Sequence, residues 1–142
     1  MHLPHPWRRL RELAHVTLIW ADLGPHLLGL TDHATATVVL NRGLSQAQRR
    51  CTIAHELTHV ERGPVPGWLT AREEREVDKV VARQLLPDVE AVGEALAWAH
   101  TLVEAADELW VDEPTLRARL EHLHPAERGH LRRRLAEGEG VW

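Results

Sequence analysis

Residues 44–63, LSQAQRRCTIAHELTHVERG, constrain the fold of this chain more than any other stretch. Ser45 is a good N-cap, Gln48 three residues on completes a capping box, and Gly63-Pro64 stops the segment. A helix is therefore marked at both ends. Ala54, Leu57 and Val60 along it are small or apolar, so the helix has to be buried, and His55 and His59 are carried in with it. Residues four apart on an α-helix lie one above the other. The two imidazoles can thus aim at one point, at the roughly 2.0–2.1 Å that zinc–nitrogen bonds require. Glu56 is offset from the pair. It suits a base that holds a water and accepts its proton as the water attacks a carbonyl, once a metal has brought the water's pKa toward ~7. Two histidines four apart also arise by chance in a chain with 11 of them. The mid-helix position, after candidate strands and among apolar neighbours, favours a metal site over coincidence.

Three protein ligands and a water make an open zinc site, so a third ligand is needed. The next histidine is His100, and the position six after His59, where an extended metalloprotease pattern places one, is Val65. A carboxylate from the following segment, TAREEREVDKVVARQLLP, is the alternative. That segment reads as a helix with Thr70 as N-cap, Glu73 as its capping-box partner, Val77, Val80, Val81 and Leu85 in helical spacing and Pro87 as the stop. Glu73 is claimed by the capping box and Glu76 projects away from the apolar stripe. Glu74 shares the side of Val77, Asp78 and Val81, and is favoured as the ligand, with Glu73 and Glu76 the alternatives. Asp78, one turn on, can accept a hydrogen bond from the outer nitrogen of a ligating histidine and so fix its tautomer.

Ahead of these helices, residues 7–14 read as a short helix with Leu10, Leu13 and Ala14 on one side. Residues 15–22, 25–32 and 34–41 read as strands. From Val89 onward the pattern is helical: VGEALAWAHTLVEAADEL is one segment, EPTLRARLEHL another, and PAERGHLRRRLAEG a last one before a loose terminus. A single cysteine allows no intrachain disulfide. MHLPHPWRRLRELAH is too polar for a signal peptide, and no run approaches the ~18 apolar residues of a membrane span. A cytoplasmic protein is expected. A formal charge of −4 gives no basic field for nucleic acid.

Three stretches together resemble the ImmA/IrrE family of small bacterial and phage metallopeptidases: RRCTIAHELTHVERG, EREVDKVVARQLLP and AADELWVDEPTLRARLEHL. In the second, the family's Glu-x-x-Ala-Asn/Asp pattern falls on Glu74, Val77 and Asp78, and Leu85-Leu86-Pro87 matches its Leu-Leu-x-Pro ending. In the third, Asp112 stands where serine is usual and Arg119-Leu120 are in place. The resemblance implies an α+β fold, with a small sheet of about three strands packed on the active-site helix and a helical C-terminal part. Residues 1–142 would form a single metallopeptidase domain, with 1–90 the zinc-peptidase core and 91–142 a helical subdomain. It also implies Zn²⁺ held by His55, His59 and Glu74, with Glu56 as general base. The substrate would be a protein, namely a helix-turn-helix transcriptional repressor acting in trans, whose loss releases mobile-element or stress-response genes.

Other features take plainer readings. Cys51, one turn before His55, is expected as a small core residue rather than a ligand. Trp68 either faces the substrate or packs over the helix ends, and the second, commoner outcome is expected. The chain has no Tyr, so the oxyanion donor has to be a histidine, an arginine such as Arg72, or zinc alone. ADELWVDEPTLRARL resembles a helix-turn-helix, but its acids outnumber its arginines and repel phosphate. Two rivals to the enzyme therefore stand: a metal-containing module that inactivates a regulator by docking, and a DNA reader built on residues 103–122.

Overall fold

A computed structural model describes residues 6–136. The terminal PAERGHLRRRLAEG helix is followed there to Ala136; the expected loose terminus lies outside the described residues, as do residues 1–5. The fold is α+β and comprises two compact units, one through Val81 and one from Ala82.

In the first unit, α1 (Pro6–Glu12) leads to three strands, β1 (Thr17–Ala21), β2 (Gly29–Asp32) and β3 (Thr37–Asn41), then to α2 (Gln46–Arg62) and, after a 3₁₀ turn at Gly67–Leu69, to α3 (Thr70–Leu85). The sheet order is β1-β3-β2. β3 runs parallel to β1, with Thr17 opposite Thr37, and antiparallel to β2, with Gly29 opposite Leu40. β3 is therefore the central strand. It alternates as a half-buried strand must: Val38 and Leu40 are fully buried and meet Ile53 and Leu57, which lie four apart on α2. Trp7, Leu10, Leu13, Val16, Leu18 and Val60 pack against that cluster. α1 thus contributes Trp7, Leu10 and the Leu13 just past its end, whereas Ala14 is exposed, contrary to expectation.

Both expected ends of α2 form. The Gln48 amide donates to Ser45 Oγ at 3.1 Å and the Ser45 amide donates to Gln48 Oε1 at 3.0 Å. Gly63 closes the helix at a φ of +83°, and its N–H donates to the His59 carbonyl. Arg9 ties α1 to the helix, donating to both carboxylate oxygens of Glu61 (2.8 and 2.5 Å) and to Thr58 Oγ1 (3.2 Å). Asn41 holds the loop before β2, donating to the carbonyls of Gly24 and Leu27 and accepting from the Leu23 amide.

β2 presses closely on α2. A Cβ at Gly29 would lie 2.7 Å from Thr52 Cγ2, 3.0 Å from the Val39 carbonyl oxygen and 3.4 Å from Glu56 Cγ. Two of those neighbours belong to the helix that carries the site, and the backbone oxygen cannot swing aside. Gly29→Ala is expected to cost roughly 1–3 kcal/mol by overpacking, read as a lowered denaturation midpoint with an unchanged m-value. An unchanged midpoint would show that β2 can move off the helix freely.

Thr70 is not an N-cap. The chain enters α3 through the 3₁₀ turn, so Thr70 is already helical (φ −55°, ψ −47°). Glu73 forms no capping box and pairs instead with Arg62 through both carboxylate oxygens.

The second unit is helical: α4 (Val89–Trp98), α5 (Leu102–Glu108), α6 (Glu113–Glu121) and α7 (Pro125–Ala136). The single helix expected over 92–109 is two helices. Thr101 caps the second, accepting from the Glu104 amide at 3.1 Å, while the Glu104 carboxylate accepts from the His100 amide. That local pair of hydrogen bonds outcompetes continuation of the helix. Asp112 caps α6, accepting from Thr115. Arg119 on α6 is 1% exposed; it donates to the Leu86 carbonyl and, with two nitrogens, to Glu127, which also accepts from Arg83. The Arg119 guanidinium holds the Glu127 carboxyl down at about 2, assisted by the His124 amide and Arg83 and opposed by burial. Arg117 pairs with Glu113 on its own helix. Both arginines of the supposed DNA-reading segment are therefore engaged within the protein. No helix among the described residues is long and apolar enough to cross a membrane.

Candidate metal centre

α2 presents His55 and His59 one turn apart, and α3 presents Glu74 and Asp78 one turn apart. The Nε2 atoms of the two histidines lie 3.2 Å from each other. The Glu74 carboxylate faces both, Oε2 at 2.9 Å from His55 Nε2 and Oε1 at 2.8 Å from His59 Nε2. On the far side of the first ring, His55 Nδ1 meets Asp78 Oδ1 at 3.2 Å.

Whether these donors suit a metal depends on where their protons lie. A carboxylate oxygen only accepts, so His55 Nδ1 carries the proton and donates to Asp78. With Nδ1 protonated, the contact of Nε2 with Glu74 is favourable only where that nitrogen carries a second proton or binds a cation. Burial pulls the His55 pKa down, but the hydrogen bond to Asp78 and the charges of Glu56, Glu74 and Asp78 outweigh it and hold the imidazole above its ordinary value. The site draws a cation. In a tetrahedral site with bonds of roughly 2.0–2.1 Å, ligand atoms stand roughly 3.3–3.4 Å apart, close to the 3.2 Å between the two Nε2 atoms, with one Glu74 oxygen beside each of them. Two imidazole nitrogens and one carboxylate, converging with a carboxylate behind one ring, fit a metal cofactor.

Glu56 does not join the ligand cluster. It is 6% exposed, its Oε2 accepts from Thr31 Oγ1 at 2.5 Å, and together with His59 and Glu74 it lines a cleft of about 360 Å³. Leu27, Leu30 and His33 form part of the cleft wall from the β2 side, and Pro64, Val65 and Thr70 from the loop between α2 and α3.

Of the carboxylates weighed in the sequence, Glu74 and Asp78 reach the histidines and Glu76 does not. Glu73 lines the cleft, but the Arg62 guanidinium binds it and holds its carboxyl below the usual range, against a smaller opposing effect of burial. Cys51 is buried and outside the cluster. Trp68 does not pack over the helix ends: on the short 3₁₀ turn it is 83% exposed. Arg72 is exposed and does not line the cleft, whereas His33 does. Sequence reasoning gave no role to Thr31. Its signal was the alternation of β2, which puts Gly29 and Thr31 on one face, opposite Thr52 and Glu56 on α2.

Residues 16–136 match the family model Peptidase_M78, the IrrE N-terminal-like domain. No curated protein and no solved structure matches the chain.

Proposed function

This chain belongs to the Peptidase_M78 family of metallopeptidases, and from that premise we propose that it is a zinc-dependent endopeptidase of the ImmA/IrrE type. It hydrolyses a peptide bond in a protein substrate, a helix-turn-helix transcriptional repressor acting in trans in the cytoplasm. The observation that carries the enzymatic reading is the placement of Glu56. A buried carboxylate opens onto the cleft beside the three converging donors without being one of them.

His55, His59 and Glu74 would hold the zinc, and Asp78 would fix the His55 ring in the tautomer that leaves Nε2 free to bind. When bound, the ion supplies Lewis acidity for the scissile carbonyl and lowers the pKa of an attacking water. Glu56 takes the proton from that water as its oxygen bonds to the carbonyl carbon. It then passes the proton to the amide nitrogen as the carbon–nitrogen bond breaks, ending unprotonated as it began.

Incubating the zinc-loaded protein with helix-turn-helix regulators encoded near its gene tests this. Mass spectrometry should find one regulator cut at a defined bond, with cutting abolished by a chelator and restored by zinc. A regulator that binds but stays intact would instead make the protein a docking module.

A further inference from the structure

We propose that Thr31, on β2, is the positioning residue for Glu56: its hydroxyl holds one carboxylate oxygen so that the other faces the cleft as the base. This rests on the reading of Glu56 given above. A glutamate side chain has three rotatable bonds, and Glu56 gains no fixation from a metal because it is not a ligand. Something else has to hold it. Among the described residues, Thr31 supplies the one side-chain hydrogen bond to that carboxylate, at 2.5 Å, within the range of charge-assisted O–H···O⁻ bonds. The same hydroxyl oxygen lies 3.2 Å from the Glu56 carbonyl. A hydroxyl has a single proton, and the shorter contact to the carboxylate claims it.

The donor is itself fixed. Threonine is β-branched and stiff about its first side-chain torsion, and it sits on a strand hydrogen-bonded to β3, with Thr31 opposite Val38. Two residues earlier on the same face, Gly29 lets the strand approach within contact of Thr52 and Glu56. Strand position, side-chain stiffness and hydrogen bond therefore act on the same carboxylate. With Oε2 engaged by Thr31, Oε1 keeps both of its lone pairs for a proton.

The test compares Thr31→Val, which keeps the shape and loses the hydroxyl, with Thr31→Ser, which keeps the hydroxyl. Thr31→Ala replaces the valine variant if that does not fold. The substrate is the regulator cleaved by the wild type. Misplacing a catalytic group by about 1 Å costs on the order of 100-fold, so Thr31→Val should lose about 10- to 100-fold in kcat with KM and zinc content unchanged, and Thr31→Ser should recover most of it. Crystal structures of the zinc-loaded wild type and Thr31→Val should show the Glu56 carboxylate displaced while His55, His59 and Glu74 stay. An undisplaced carboxylate with wild-type kcat, or a serine variant as slow as the valine one, would overturn the proposal. If the wild type cuts no regulator, the peptidase reading fails on its own, and the carboxylate position in the two crystal structures still decides the role of Thr31.

Discussion

Glu56→Gln should purify with as much zinc as the wild type and cleave its regulator roughly 100- to 10,000-fold more slowly, the range spanned by positioned general bases. The substitution is nearly isosteric, and the amide oxygen can still accept from Thr31 Oγ1. What it removes is the ability to take a proton. Because Glu56 lies outside the ligand cluster, the metal has no reason to leave. Folding should survive too, since exchanging a buried carboxylate for a neutral amide relieves a desolvation cost rather than adding one. Elemental analysis for zinc and kcat/KM on the same preparation check the two halves together. A glutamine variant that cuts at the wild-type rate would remove Glu56 from the chemistry.

Glu74→Ala should behave in the opposite way, losing the metal first and activity as a consequence. Its two carboxylate oxygens stand 2.9 and 2.8 Å from the two imidazoles, so removing it leaves a two-ligand site open to solvent. Outer partners of metal-bound histidines are worth about 10- to 100-fold in affinity; a direct ligand should cost more than that. The side chain is 46% exposed, so the metal-free variant should melt where the metal-free wild type does. Competition with a chromophoric chelator measures the affinity, and Glu73→Ala is the control, because Glu73 is bound to Arg62. Wild-type zinc affinity in Glu74→Ala would send the third ligand elsewhere.

Much of this was legible in the chain itself. Both ends of α2 are written in neighbouring residues, Ser45 with Gln48 and the glycine before a proline, and local hydrogen bonds honour such signals. The histidine pair and Glu74 follow from helical spacing on two consecutive helices. The errors arose where one local signal had a competitor. Thr70 and Glu73 have the residue types of a capping box, but the preceding 3₁₀ turn had already begun the winding and Arg62 captured the glutamate. The helix over 92–109 carried its own stop at Thr101, whose cap with Glu104 was hidden inside an apolar run. Trp68 was assigned by residue type, and its surroundings on a short turn left it in solvent. Thr31 carries only half of its signal in the sequence, the alternation that sets it on the face of Gly29. Its partner is 25 positions away, and nothing short of the strand's pairing fixes which face of β2 meets α2.

That distance separates two assemblies within one site. Every group that would grip the ion comes from residues 55–78, a hairpin whose closure costs little chain entropy because the loop is short. The alignment of the base, by contrast, depends on an earlier segment reaching the helix from the sheet. Affinity for the ion and competence to use it are therefore inherited from different parts of the polypeptide. A lesion in the strands can leave a well-loaded protein that does no work, and metal content alone will not reveal it.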